Sequence, residues 1–268
     1  MAVPAPSVDP GEVERFSALA RTWWDPKGAM APLHRMNPAR LGFLRQALLD
    51  HFGRDPGSLA PFEGLALLDI GCGGGLVAEP MARLGFAVAG LDASAANLAV
   101  ARAHAEAGGL AIDYRDVSLE ALSETGERFD AILALEVVEH VADLDRFVAA
   151  AAQVLKPGGV LIASTLNRTP KSFLLAIVGA EYVLRWLPRG THRWDRFLRP
   201  SELAAAFRRQ GLAVGDLKGF TFDVLAGEWR ASTDLSVNYF VVATKVAAGM
   251  GLADTFPPSA LAPEAFHP

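Results

Sequence analysis

Between residues 65 and 166 the chain alternates short apolar runs with stretches of helical period, and nothing else narrows its fold so much. "LALLDI" reads as a strand and "GLVAEPMARLG" as a helix; "FAVAGLD" and "SAANLAVARAHAEAGG" repeat the pair. "LAIDYRD" supplies a third strand, "FDAILALE" a fourth, "LDRFVAAAAQVLKPGG" a helix and "VLIASTLN" a fifth strand. Several of these runs are apolar along most of their length, so both faces of the strands must be covered. The intervening helical segments, about ten residues or longer, are long enough for crossovers. The pattern therefore predicts a doubly wound, mostly parallel α/β sheet.

The flanks decorate that sheet. Glu12 to Arg21 reads as a short helix, followed by an irregular segment punctuated by Pro26, Gly28, Pro32 and Pro38. Asn37 is the expected N-cap, with Pro38 at the first position, of a helix through "ARLGFLRQALLDHF". After the fifth strand comes an apolar helical insertion, "KSFLLAIVGAEYVLRWLPRG", and then a capped helix, "PSELAAAFRRQG". "LAVGDLKGFTF" and "VNYFVVATKV" are two late strands expected to pair antiparallel at the sheet edge. The reading is one domain over 1–247, with seven strands, a helical cap at about 11–55 and a lid insertion at about 168–200. The Pro-, Gly- and Ala-rich stretch 248–268 is expected to be a mobile tail.

A net charge of −5 argues against a general nucleic-acid binder, which would carry a basic surface. The single cysteine, Cys72, excludes an internal disulfide and fits a reducing compartment. The N-terminal residues have neither a secretory nor a transit pattern, and no apolar run reaches the roughly 20 residues that span a bilayer. The expected location is cytoplasmic.

Four glycines, Gly71, Gly73, Gly74 and Gly75, stand between the first strand and its helix. Glycine there allows positive φ and close backbone approach to a ligand at the carboxyl end of the sheet. Asp92 ends the second strand 21 residues after Gly71, close to the roughly 20-residue offset at which an acid takes ribose hydroxyls. Together they predict a nucleoside cofactor. A dinucleotide site asks for a third glycine where Leu76 stands and has no particular need of Asp69. Cys72 has no histidine beside it and reads as a small loop residue.

The fourth strand runs into "EVVEH". If this is helical, Glu136, Glu139 and His140 share one face at i, i+3 and i+4. Three readings stay open on chemistry alone. The group holds a divalent ion that acidifies a hydroxyl; His140 acts as a general base; or Glu139 merely complements a helix N-terminus.

"LDIGCGGG" with Asp69 resembles the first motif of class I S-adenosylmethionine-dependent methyltransferases, a Rossmann-like fold. The resemblance implies that Asp69 and the glycine backbone receive the methionine moiety. It also implies that Asp92 takes the ribose and that Asp116–Val117 flanks the adenine. "ALEVVEHVADLDRFV", "LKPGG", "PLHRMNPARL" and above all "STLNRTPKSFLLAIVGAEYVLRWLPRGTH" are similar to the ubiquinone-biosynthesis O-methyltransferases, from about Phe16 to Thr244. That family methylates hydroxyls of a 2-polyprenyl-6-hydroxyphenol and of a 3-demethylubiquinol. It implies that Arg40 pairs with the methionine carboxylate, that Leu135 touches the cofactor in place of a larger Met, and that Glu136, Glu139 and His140 bind a divalent ion, usually magnesium. The alternatives are a methyltransferase for a different lipophilic phenol and a non-catalytic, membrane-associated, cofactor-binding assembly protein; the resemblance also suggests a ubiquinone-biosynthesis assembly as partner.

The insertion combines an apolar stretch, Phe173 to Ala180, with Trp186 and with Arg185, Arg189, Arg193, Arg196 and Arg199. An apolar helix flanked by arginines suits the headgroup zone of an anionic membrane. A polyprenylated substrate would then reach the site through a lid resting on the inner face of the membrane. A helix docked on its own protein is the competing reading. Trp23 and Trp24 either close the cleft or anchor the N-terminal segment; His34, Arg35 and His192 receive no role.

Overall fold

A computed structural model of the protein describes residues 10–175, 177, 193–223 and 226–246. Most of the apolar insertion and the whole 248–268 tail lie outside the described residues, so those two expectations find no structural counterpart here.

The alternating pattern yields β1 (Ala66–Ile70), α3 (Ala78–Arg83), β2 (Ala87–Leu91), α4 (Ala95–Ala107) and β3 (Asp113–Arg115). It continues through α5 (Leu119–Ser123), β4 (Phe129–Leu135), α6 (Leu144–Val154) and β5 (Leu155–Leu166). Two helices precede them, α1 (Pro10–Ala18) and α2 (Ala31–Phe52). A short α7 (Pro170–Ser172), α8 (Pro200–Arg209), β6 (Leu212–Asp223), β7 (Glu228–Ser232) and β8 (Asn238–Lys245) follow. The sheet has strand order β3-β2-β1-β4-β5-β8-β6-β7. The first five strands are parallel, and β8 joins antiparallel between β5 and β6.

Side-chain alternation explains why the central runs are apolar throughout. Leu68, Ile132, Ala134, Leu161 and Ala163 face one way, onto Phe147, Val148, Leu203 and Phe207. Leu67, Ala131, Leu133, Val160 and Ile162 face the other, onto Leu44, Leu48, Met81 and Leu98. Each strand thus feeds two cores through its period of two. Chain order reverses between β1 and β4, which places the ligand crevice at their carboxyl ends.

Three local expectations are corrected. Among the described residues the sheet has eight strands, not seven: β7 pairs with β6 as the second arm of a hairpin, although "EWRAS" is short and polar. Helix α2 starts at Ala31, with Pro32 in its first turn and Pro38 inside it. Asn37 is therefore no cap. Its carboxamide instead donates to Leu76 O at 3.1 Å and accepts from Arg40, tying α2 to the glycine turn. Finally, residues 136–140 form a turn and not a helix, because Glu136 remains tied to β5. No helix among the described residues is long and apolar enough to cross a membrane.

Candidate active site

The turn after β1 is built on left-handed glycines. Gly71 has φ +68° and Gly73 has φ +53°, conformations that side-chain-bearing residues rarely adopt. Space closes the same positions. A Cβ on Gly71 would stand 2.4 Å from Val137 Cγ2, and one on Gly73 2.3 Å from the Trp23 ring. Gly71 is therefore seated against Val137, the first of the two valines between the acids of "EVVEH". Cys72 is buried inside this turn, and burial pushes its thiol well up, consistent with a small packing residue.

Asp69, near the end of β1, is buried, and its Oδ2 has no hydrogen-bond partner. It accepts the backbone N–H of Ala78 at the start of α3. Burial pushes its pKa up to about 7; the Arg40 charge opposes that rise and Asp92 adds to it. Arg40 is itself buried, and its guanidinium donates to Asn37 Oδ1 through Nε at 3.1 Å and Nη2 at 2.6 Å. Burial lowers its pKa, while the charges of Glu136 and Asp69 act against that shift. One guanidinium thus feels both the acid of the first strand and the acid of the fourth.

At the next strand end, Asp92 accepts from Gly73 N (2.9 Å), Ser94 N (2.8 Å) and Asn97 Nδ2 (3.2 Å). Burial raises its pKa against those three hydrogen bonds. Asp116 is exposed, and its charge reaches Asp92. Leu135 is buried at the end of β4.

Glu136 follows Leu135 with φ 55°, the one left-handed non-glycine among the described residues. Such a conformation persists only where its surroundings enforce it. Here β5 does so. Glu136 N donates to Ser164 O at 3.0 Å, and Ser164 Oγ donates to Glu136 Oε1 at 2.7 Å. One residue along β5, Thr165 Oγ1 donates to Glu139 Oε2 at 2.8 Å. Glu139 is buried and shares a side-chain hydrogen bond with Glu136. Burial first, and the Glu136 charge second, hold its carboxyl well above the usual range. His140 is half-buried in the same turn, its N–H donating to Val137 O.

Glu136, Glu139 and His140 do not form the expected three-ligand cluster. Among the described residues no group of three His, Cys, Asp or Glu side chains stands together as a metal cage. The turn replaces the helix whose i, i+3, i+4 spacing was to align them. What remains is a pair of touching carboxylates, a donor set that fits a hard cation retaining water or substrate oxygens. Ser164 and Thr165, which hold this pair, escaped the sequence reading. The only available signal was two hydroxyl residues at the end of an otherwise apolar strand.

The family model described as "Methyltransferase domain" matches residues 68–163. A ubiquinone biosynthesis O-methyltransferase from Azorhizobium caulinodans is 57% identical over 88% of this chain and 93% of its own. Another from Chelativorans sp. is 56% identical over 89% of this chain and 94% of its own. Among solved structures, magnesium protoporphyrin IX methyltransferase from Synechocystis PCC 6803 with bound SAH aligns with a TM-score of 0.58. It is 17% identical over 87% of this chain and 94% of its own. A SAM-dependent methyltransferase from Thermotoga maritima has a TM-score of 0.57 at 17% identity, over 88% of this chain and 99% of its own. At such identities the structural likeness is one of fold.

Proposed function

We propose a substrate and a chemistry from one premise: this chain belongs to the ubiquinone biosynthesis O-methyltransferase family. It is an S-adenosylmethionine-dependent O-methyltransferase. Its proposed substrates are phenolic hydroxyls of polyprenylated ubiquinone precursors, a 2-polyprenyl-6-hydroxyphenol and a 3-demethylubiquinol.

S-adenosylmethionine supplies an electrophilic methyl group on sulfur. Asp69 and Arg40 hold the charged ends of its methionine part, matched as carboxylate to ammonium and guanidinium to carboxylate. The Gly71 and Gly73 backbone admits it closely, Asp92 takes the ribose, and Asp116 and Leu135 border the adenosine. A phenol is a poor nucleophile until its proton is removed or its oxygen is electrostatically stabilised. Glu136 and Glu139 would hold a divalent cation, Mg²⁺ by the hardness of the oxygen donors; when bound, such an ion lowers the pKa of a neighbouring hydroxyl. His140 takes the phenolic proton. The observation that supports this arrangement is the seat of Gly71 on Val137, which brings the cofactor turn to the acid pair.

A short-chain prenylated catechol is expected to be methylated, with the rate falling at least tenfold in chelator and recovering with Mg²⁺. Equal rates on prenylated and soluble catechols would favour a different phenol. The membrane reading draws support from Phe173, Leu174 and Trp194, 45%, 59% and 39% exposed at the edges of the insertion. Leu174→Asp is expected to reduce sedimentation with anionic liposomes severalfold while leaving S-adenosylhomocysteine affinity unchanged. Undiminished sedimentation would count against a membrane-facing lid.

A further inference from the structure

We propose that Asn97 and Trp23 are positioning residues for the cofactor. The Trp23 indole, on the N-terminal cap, fixes the Asn97 carboxamide, and the carboxamide fixes the Asp92 carboxylate. This rests on the reading of Asp92 as the ribose acceptor.

Asn97 is 1% exposed in the first turn of α4, where its backbone N–H already satisfies the cap residue Ser94. Its side chain is therefore free for another duty. Trp23 Nε1 donates to Asn97 Oδ1 at 2.8 Å, a buried bond spanning 74 residues of chain. An indole N–H donates and never accepts, so it selects the carboxamide oxygen. That choice turns Nδ2 toward Asp92 Oδ1, at 3.2 Å. The opposite orientation would set amide N–H against indole N–H and carbonyl oxygen against carboxylate. Both contacts would be repulsive in a buried place, where unmatched polar groups are costly.

The carboxylate at the end of this chain is tightly specified. Ser94 N and Asn97 Nδ2 meet Oδ1, and Gly73 N meets Oδ2. Three of about four acceptor sites are thus filled by fixed donors, which sets the plane in which the remaining site faces a ligand. Trp23 reaches this relay from a cap that is anchored independently of it. His34 Nε2 bonds Trp23 O at 2.7 Å, and Trp24 Nε1 donates to Gly74 O at 3.0 Å. Trp24 also stacks on His104 at 3.5 Å and 4°, and His104 Nδ1 pairs with buried Glu79 at 2.6 Å. Removing the Trp23 N–H therefore leaves the His34 and Trp24 anchors of the cap in place, and the Asp92→Ala background separates the relay from the packing of the Trp23 ring on Gly73.

The test is calorimetric titration of the full chain with S-adenosylhomocysteine, with thermal melts alongside. Asn97→Ala is expected to weaken binding about tenfold, in line with a hydrogen bond to a charged group, and Trp23→Phe about threefold. Asp92→Ala weakens it further, roughly thirtyfold. In the Asp92→Ala background neither of the other substitutions adds a further loss, because there is no carboxylate left to position. Trp23→Phe, which keeps an aromatic ring without the indole N–H, carries the test through its comparison in the parent and Asp92→Ala backgrounds if Asn97→Ala fails to fold. Unchanged affinity in both single variants overturns the proposal. So does the same loss in both backgrounds, the outcome a merely structural Asn97 would give. An Asp92→Ala protein that binds like the parent instead removes the ribose assignment underneath, before any cycle is closed.

Discussion

At pH 8 and without cofactor, Asp69→Asn is expected to melt roughly 5 °C above the parent while binding S-adenosylmethionine about a hundredfold more weakly. The two effects share one cause. Asp69 is 3% exposed with one oxygen unpartnered, and burial carries its pKa from 3.8 to about 7. An acid with a raised folded-state pKa contributes stability that is fully present below its unfolded pKa and lost as pH rises through the folded one. Between pH 4 and 7 this carboxyl therefore withdraws about 4 kcal/mol, at about 1.4 kcal/mol per unit. Asparagine never ionises and escapes that loss. Its buried amide N–H groups replace the unpartnered oxygen at a cost of about 2 kcal/mol, leaving a net gain of about 2 kcal/mol at pH 8. The gain should shrink as pH falls and change sign at about pH 5, where the loss from ionisation equals the amide cost. Melting curves at pH 4, 6 and 8 check this; parallel pH dependences for parent and variant would exclude it.

The loss of affinity follows from the same unpaired oxygen. In the proposed reading, the ammonium of the methionine moiety pairs with this buried carboxylate. Because only the ionised form serves, affinity in the parent should decline below about pH 7, approaching tenfold per unit, whereas Asp69→Asn should show a flat profile.

The geometry of the turn after β1 was legible because its elements are local. Strand, acid, glycines and helix succeed one another within a dozen or so residues, and Asp92 lies one βαβ step away. The doubly wound sheet was equally legible, since strands that feed two cores cannot carry polar residues in their middles. What could not be read is what β5 does to β4. Nothing in the spacing of "EVVEH" distinguishes a helix from a turn. The decision is made 28 residues away, where Ser164 takes the Glu136 N–H on its carbonyl and returns its hydroxyl to the Glu136 carboxylate. Asn37 misled for a similar reason: a good capping residue before proline was instead committed to Leu76 and Arg40. The Trp23–Asn97 bond likewise depends on how the cap lands on α4, which local pattern does not encode.

The acid pair gives the sharpest separation of folding from chemistry, through Glu139→Gln. Glu139 is buried, accepts from Thr165 Oγ1 at 2.8 Å and touches Glu136, with its carboxyl held well above the usual range. Burial and the neighbouring Glu136 charge disfavour its ionised form, and glutamine is nearly the isostere of the neutral acid. The Gln oxygen can keep the Thr165 hydroxyl, and its amide can donate to Glu136 as the shared proton did. Stability is expected to change by less than about 1 kcal/mol and S-adenosylhomocysteine affinity by less than about twofold. Methyl transfer to a prenylated catechol should nonetheless fall by at least about a thousandfold, since a neutral amide lacks the negative charge that would hold a divalent cation beside Glu136. Glu139→Ala makes the useful contrast. It leaves the Thr165 hydroxyl without this acceptor and opens a hole in the turn, so it should lose both stability and rate. Initial rates, melting and titration on the two variants distinguish the cases. If Glu139→Gln retains even a tenth of the parent rate, the pair is a device for holding the turn in its left-handed shape, and no cation held by Glu139 assists the transfer.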